Sequence, residues 1–247
     1  DMWFDTANKV LQIWDGANWI SPVPGFTYNQ GGTGAVDRTL TSKLQDTVSV
    51  KDFGAVGDGV ADDTAAIQAA IAIQKPLFFP EGEYRITSAL TSNQVKIYWT
   101  GERAVLKSEV LSGFVLTFGT DATSKYDLIL DGLRFERTSG TNSCIYLHEQ
   151  LNAKVNYCYF SGFKDYALHA KACDGLDITN CRFHDGSVKV ENQMDGFCFT
   201  NNEVSAAVNH PCLEVYGGYG QTISGNFFSW AQHEAIVLGY DSIRGDY

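Results

Sequence analysis

Val155-Asn156-Tyr157-Cys158-Tyr159-Phe160 carries an apolar residue at each end, five positions apart. The same frame returns in Leu130-Asp131-Gly132-Leu133-Arg134-Phe135 and Ile178-Thr179-Asn180-Cys181-Arg182-Phe183. It returns again in Phe199-Thr200-Asn201-Asn202-Glu203-Val204 and Ile223-Ser224-Gly225-Asn226-Phe227-Phe228. Taken in chain order, the starts lie 25, 23, 21 and 24 residues apart. A second apolar pair follows each segment: Ile145/Leu147, Leu168/Ala170, Val188/Val190, Leu213/Val215 and Ile236/Leu238. A period in the low twenties with two or more short strands per repeat marks a solenoid, each repeat burying its apolar face on the next. Leucine-rich repeats share the period but need a Leu-x-x-Leu-x-Leu frame, which is missing. The expectation is an all-β parallel β-helix, in which coils of unequal length are tolerated because insertions leave at the turns.

Composition agrees. The 247 residues include 24 Gly and 13% aromatics, the balance of a β-rich chain with many turns. The formal charge is 18 − 29 = −11. An acidic chain argues against nucleic-acid binding, which needs clustered Lys and Arg. No apolar run reaches the length of a membrane-spanning helix, about 18 residues or more. The opening Asp1-Met2-Trp3-Phe4-Asp5 lacks the basic and apolar regions of a secretory leader. The six Cys are scattered singly and are expected as reduced thiols, with Cys158 and Cys181 stacked inside successive repeats. The five His have no HxH or HExxH spacing, so neither a metal nor a cofactor is expected.

The N-terminal part reads differently. Val10-Leu11-Gln12-Ile13-Trp14 and Trp19-Ile20 flank Asp15-Gly16-Ala17-Asn18, a hairpin signal, and Gly31-Gly32-Thr33-Gly34 reads as a hinge. Residues 1–34 are therefore expected as a small β appendage and linker. Val36, Leu40, Leu44 and Val48, four apart, predict one apolar helix stripe over 35–47. So short a helix must pack on something: its own domain, or symmetry mates in a neck. The β-helix domain is expected over 48–247, opening with a short strand, a glycine-rich turn and a helix at Thr64–Ala72. Asp62 and Asp63 stand where side-chain oxygens cap the helix. With Asp58 they form an acidic cluster whose spacing is not that of an EF-hand, so turn and cap geometry is the expected role.

The stretch from Val48-Ser49-Val50-Lys51-Asp52-Phe53-Gly54-Ala55-Val56-Gly57-Asp58-Gly59 through Val60-Ala61-Asp62-Asp63-Thr64-Ala65-Ala66-Ile67-Gln68 resembles the opening of the pectate-lyase superfamily β-helix. Gly31–Thr39 with its short helix is similar to the entry of bacteriophage tailspikes and capsule depolymerases. Pro80-Glu81-Gly82-Glu83-Tyr84-Arg85-Ile86 is similar to the superfamily's Pro-x-Gly-x-Tyr strand. The specific match covers about residues 30–90. The resemblance implies a right-handed parallel β-helix, usually a homotrimer, capped by the Thr64–Ala72 helix, with the 35–47 stripe as a trimer neck. It implies a spike that recognises, and often cleaves, bacterial surface polysaccharide. Its N-terminal part would join phage tail or baseplate proteins on the virion, after assembly in the host cytoplasm. Such β-helices commonly have more coils, which implies a piece of a longer spike with catalytic groups beyond Tyr247.

The repeat also predicts chemistry. If the second apolar pairs stack, Tyr146, His169, Lys189, Glu214 and Val237 form one outward column, and His148, Lys171, Glu191, Tyr216 and Gly239 a second. Rungs about 4.8 Å apart and an i, i+2 step of about 6.7 Å put Glu191 and Glu214 roughly 8 Å apart on a diagonal. Inverting glycosidases separate their carboxyl groups by about 6.5–9.5 Å, leaving room for a water. Lys171 beside Glu191 suits it to the base role, whereas Lys189 beside Glu214 argues against Glu214 as the acid. An ordinary solvated face of alternating charge has the same sequence signature. Glu234 and Asp241 are alternative catalytic carboxylates. His169, Lys171, Lys189, Tyr216, Trp230 and Tyr240 are the candidate sugar contacts, since aromatic faces pack on sugar C–H surfaces and polar groups bind hydroxyls. Three functions stay open: a polysaccharide-cleaving spike, by hydrolysis or by lyase chemistry; a non-catalytic binding module; and a free pectin-type enzyme, which the absent leader disfavours.

Overall fold

A computed structural model describes residues 2–5, 10–14, 16–17, 19–20, 27–93, 97–101, 103–119, 125–141, 143–192, 195–205, 207 and 209–239. The chain forms two compact units, residues 1–47 and 48–247. In the first, Val10–Trp14 pairs antiparallel with Trp19–Ile20, the hairpin expected across Gly16, and also with Met2–Asp5, which makes a third strand. Thr27–Tyr28 pairs antiparallel with Arg38–Thr39.

The predicted 35–47 helix is much shorter, Leu40–Leu44. Two local interactions stop it from extending backwards. Arg38 is drawn into the ladder with Tyr28, and Thr39 takes an extended conformation from which its side chain accepts the Ser42 amide at 3.1 Å, capping the helix one residue later. Val48 leaves the stripe altogether to begin the second unit. Val36, Leu40 and Leu44 stay 70%, 42% and 68% exposed.

The second unit is a parallel β-solenoid of three sheets. The first runs in eight strands from Val48–Ser49 to Thr222–Ser224, and the second in eight from Asp58–Asp62 to Phe227–Ser229. The third runs in seven from Leu90–Ser92 to Ile236–Gly239. The hexapeptide repeat turns out to be two strands rather than one. Leu130, Val155, Ile178, Phe199 and Ile223 stack in the first sheet, while Phe135, Phe160, Phe183, Val204 and Phe228 stack in the second. Between them the chain turns at Gly132, Tyr157, Asn180, Asn201 and Gly225, all left-handed with φ of 52–70°. That conformation costs a non-glycine residue about 1–2 kcal/mol. Its repetition keeps the corner amides in line: Tyr157 N donates to Thr179 O at 3.2 Å and Asn180 N to Thr200 O at 3.2 Å.

Inside the corners, Leu133, Cys158, Cys181 and Asn202 are buried in turn. All six cysteines are free thiols. Phe135, Phe160 and Phe183 stack with centroids 5.1 and 4.9 Å apart and planes within 7°. Asn202 replaces the thiol because its amide can serve two backbone groups. It accepts from Cys181 N at 2.8 Å and donates to Ile178 O at 2.9 Å.

At the N-terminal end the helix Thr64–Ile71 stands beside the first strand of the third sheet. Gln68 bonds that edge like a strand, donating to Thr91 O at 2.9 Å and accepting from Thr91 N at 3.0 Å. Asp62 caps the helix as expected, accepting from Thr64 N at 3.1 Å. Asp63 does not. Its carboxylate is 1% exposed and faces backwards, accepting from Val56 N at 2.6 Å and Gly57 N at 3.2 Å. Asp58 Oδ1 accepts from Val60 N and Ala61 N, each at 2.8 Å, so all three acids of the cluster are engaged in turns and caps.

Replacing Asn202 with Leu keeps the branched shape but strands the Cys181 amide and the Ile178 carbonyl. A buried unpaired polar group costs roughly 1–3 kcal/mol. Asn202→Leu should therefore lower the urea midpoint markedly without changing the far-ultraviolet β signature; an unchanged midpoint would show that the ladder is dispensable.

Candidate functional site

The outer face of the third sheet holds the candidate site, and its register is the expected one. Tyr146, His169, Lys189, Glu214 and Val237 align rung by rung, as do His148, Lys171, Glu191, Tyr216 and Gly239. Alternation places these residues outward while Ile145, Leu168, Val188 and Leu213 are fully buried. Glu191 and Glu214 thus stand on neighbouring rungs of adjacent columns.

Their surroundings differ sharply. Glu191 is held by cations: Lys189 Nζ lies 2.9 Å from its Oε2 and Lys171 Nζ 3.7 Å from its Oε1. His169 Nε2 lies 3.1 Å from Oε1 and is buried. Burial alone would raise the Glu191 pKa. The Lys189 hydrogen bond and the His169 and Lys189 charges outweigh it, and the carboxyl ends below its ordinary range.

Lys189 is the chief departure from expectation. It is paired in register with Glu214, yet its ammonium leans along its own strand to Glu191, two residues on. Glu214 is taken by other groups. It is 6% exposed; Tyr216 Oη donates to its Oε2 at 3.1 Å, and Tyr166 Oη lies 3.5 Å from Oε1. His210 Nδ1 is 3.6 Å from the same Oε1 and 3.1 Å from Tyr166 Oη, its ring stacked on Tyr166 at 4.3 Å. Both phenols are pushed upward in pKa, by burial first and by Glu214 next, so they remain donors at neutral pH. Lys189 pairs with Glu191 and not with Glu214.

Gly239 completes the arrangement. Its backbone needs no glycine, but a Cβ there would lie 2.5 Å from the Tyr216 ring. Tyr216 can fold over the next rung, with its hydroxyl on Glu214, because that position is bare.

The remaining candidates do not join this cluster. Trp230 is 90% exposed at the left-handed corner after the second sheet, φ 56°, where its ring has no wall to lie on. Glu234 is exposed in the loop before Ile236, where its carbonyl accepts from Cys212 N at 3.1 Å. Tyr240 and Asp241 lie outside the described residues. His169 is also reassigned: its buried Nε2 faces Glu191, so that atom cannot serve a sugar. Tyr166 and His210 are the functional residues that the repeat pattern misses. Tyr166 is separated from the outward column by two consecutive buried residues, Ala167 and Leu168. His210 lies in the connection between Glu203–Ser205 and Leu213–Tyr216, whose length the repeat does not fix.

A family model described as rhamnogalacturonase A/epimerase, pectate lyase-like, matches residues 47–236. The chain belongs to this pectate lyase-like family. Among curated members of the wider group, mannuronan C5-epimerase AlgE5 of Azotobacter vinelandii is 38% identical over a match covering 37% of this chain and 11% of that protein. The chain thus spans about a tenth of the length of that relative. Among solved structures, the surface adhesin PfbA of Streptococcus pneumoniae has a TM-score of 0.56 at 16% identity, covering 81% of this chain and 68% of its own. Pre-mature bacteriophage phi29 gene product 12 has 0.56 at 17%, covering 80% and 35%. The Dettilon tailspike protein has 0.50 at 16%, covering 85% and 49%. At these identities the structural likenesses establish the fold that the pectate lyase-like family shares.

Burial holds the His169 pKa below its ordinary 6.5, while Glu191 opposes that fall. The folded chain therefore binds this proton more weakly than the unfolded chain. Its contribution to stability is full above about pH 6.5 and declines as the pH drops below. Glu191→Gln removes the opposing charge, so His169 should titrate at a still lower pH by NMR; a rise would contradict the assigned contact.

Proposed function

We propose that this chain is part of a phage tailspike that binds bacterial surface polysaccharide, capsule or O-antigen, and cleaves it by inverting hydrolysis. The observation that carries the reading is the pair Glu191 and Glu214: neighbouring rungs, adjacent columns, opposite surroundings. A strand geometry of about 4.8 Å by 6.7 Å gives a separation of roughly 8 Å, within the inverting range. Glu191, kept ionised by Lys189 and Lys171, is the base that takes a proton from the attacking water. Among the described residues no lysine or arginine forms an ion pair with Glu214; it is the acid that protonates the leaving oxygen. Tyr216 and Tyr166 orient it, and their hydrogen bonds strengthen as it becomes a carboxylate in the transition state.

The phage assignment is supported by the resemblance of the 31–39 entry to tailspikes and by the fold likeness to a tailspike and a phage gene product. We place the protein in the virion tail, assembled in the host cytoplasm, acting at the cell surface as a homotrimer whose N-terminal unit meets tail or baseplate proteins. The exposed Val36, Leu40 and Leu44 are the surface on which three copies would meet. One observation favours a second reading: the similarity to a mannuronan C5-epimerase, whose chemistry would begin with proton abstraction beside a uronate carboxylate.

Incubation with a panel of capsule and O-antigen polysaccharides separates the two. Hydrolysis yields new reducing ends without unsaturated uronate, and Glu191→Gln and Glu214→Gln should each lower the rate by about 10²–10⁴-fold. Deuterium taken up at C5 of a polymannuronate in heavy water, with no new reducing ends, would establish epimerase chemistry instead, and an ultraviolet-absorbing unsaturated product would establish lyase chemistry. In sedimentation, the protein should run as three chains, and Leu40→Asp with Leu44→Asp should shift it toward the monomer.

A further inference from the structure

We propose that the polysaccharide bound on this wall is an uncharged one, and that the wall rejects polyuronates. The inference rests on the hydrolytic reading of the same site and adds the class of its substrate. It starts from an inventory of charge. Among the described residues, the strands of the third sheet carry two full cations, Lys171 and Lys189, and two carboxylates, Glu191 and Glu214. Both ammonium groups lie against Glu191, at 3.7 and 2.9 Å. No arginine stands on these strands. Both cations of these strands are thus held by one internal carboxylate before any ligand arrives.

A uronate brings one carboxylate per sugar. Proton abstraction beside that group further requires a cation to hold the charge that develops on it. Here each cation is already committed to an internal carboxylate. Drawing Lys189 away would leave Glu191 half-buried without its nearest partner, which is costly. The incoming carboxylate would instead face the ionised Glu191, and a charge so placed is repelled. The histidines do not rescue it: His169 Nε2 is buried and turned to Glu191, His210 is engaged by Tyr166 and Glu214, and His148 Nε2 lies 4.0 Å from Glu149 Oε1. Hydroxyl-bearing neutral sugars meet no such penalty, and the outward phenols and amines suit them as hydrogen-bonding partners.

Glu191 is therefore the residue that excludes polyanions. Its removal should release two lysines and make the face more positive by one charge. The test measures binding of oligogalacturonate and oligomannuronate to the whole chain by calorimetry at low salt. Wild type should show no binding. Glu191→Gln should gain it, by on the order of tenfold or more, equivalent to about 1.4 kcal/mol. The gain should fade as salt rises, and Glu191→Gln with Lys189→Met should lose it again. This double variant also serves if the single one folds poorly, because it leaves no stranded lysine at position 189.

Binding of either uronate by wild type, or release of unsaturated uronate from it, would overturn the proposal. So would a Glu191→Gln protein that folds normally and gains nothing. Reducing ends released from neutral polysaccharides, such as mannan or dextran-type O-antigens, report separately on the hydrolytic reading. That reading fails if no polysaccharide in the neutral panel is cut, whatever the uronate result.

Discussion

Everything in the second unit depends on one repeated hydrogen-bonded corner. A residue in the left-handed conformation ends a short strand, and its amide bonds the carbonyl one rung along. The same turn follows at Gly132, Tyr157, Asn180, Asn201 and Gly225. Because the corner is conformationally narrow, each rung enters the second sheet at the same point. The short strands of these five rungs then stay in register without a long hydrophobic run. A slip of one residue would turn every outward side chain inward, so the wall of charged groups exists only while the corners hold.

That constraint explains how two carboxyl groups distant in sequence acquire separate characters. Register places Glu191 and Glu214 as diagonal neighbours, but rotamers and loops decide who serves each. Lys189 leans along its strand, Lys171 comes from the rung below, and together they fix the charge on Glu191. Glu214 is enclosed by phenols, one from its own strand and one from two rungs away, with His210 delivered by an irregular connection. The bare Cα of Gly239 belongs to the same design, since it lets Tyr216 lie where its hydroxyl meets Glu214.

The repeat and the columns were legible in the sequence because both follow from a fixed period: apolar pairs recur, and the residues between them must face out. The contacts made by the outward residues were not. Lys189 has two carboxylates in reach, and only the geometry of its surroundings chooses between them. Tyr166 hides behind a doubled buried pair, which a strict alternation rule counts as a break. His210 comes from a loop whose path no period sets. Asp63 read as a cap, because the pattern before a helix cannot show that a tighter turn upstream will claim the carboxylate first. The long neck helix failed for a similar reason: Thr39 and Arg38 have partners of their own, and four apolar residues at helical spacing could not outbid them.

The amide of Gln68 has one more consequence. The first strand of a parallel sheet offers unpaired donors and acceptors to any extended peptide that drifts past, and a solenoid multiplies the hazard by presenting a flat, pre-ordered template. Gln68 answers Thr91 with a donor and an acceptor of its own, so the first third-sheet strand is closed where its backbone would otherwise invite a stranger. One side chain on an eight-residue helix thereby occupies the edge groups of Thr91 that another extended chain would need for pairing.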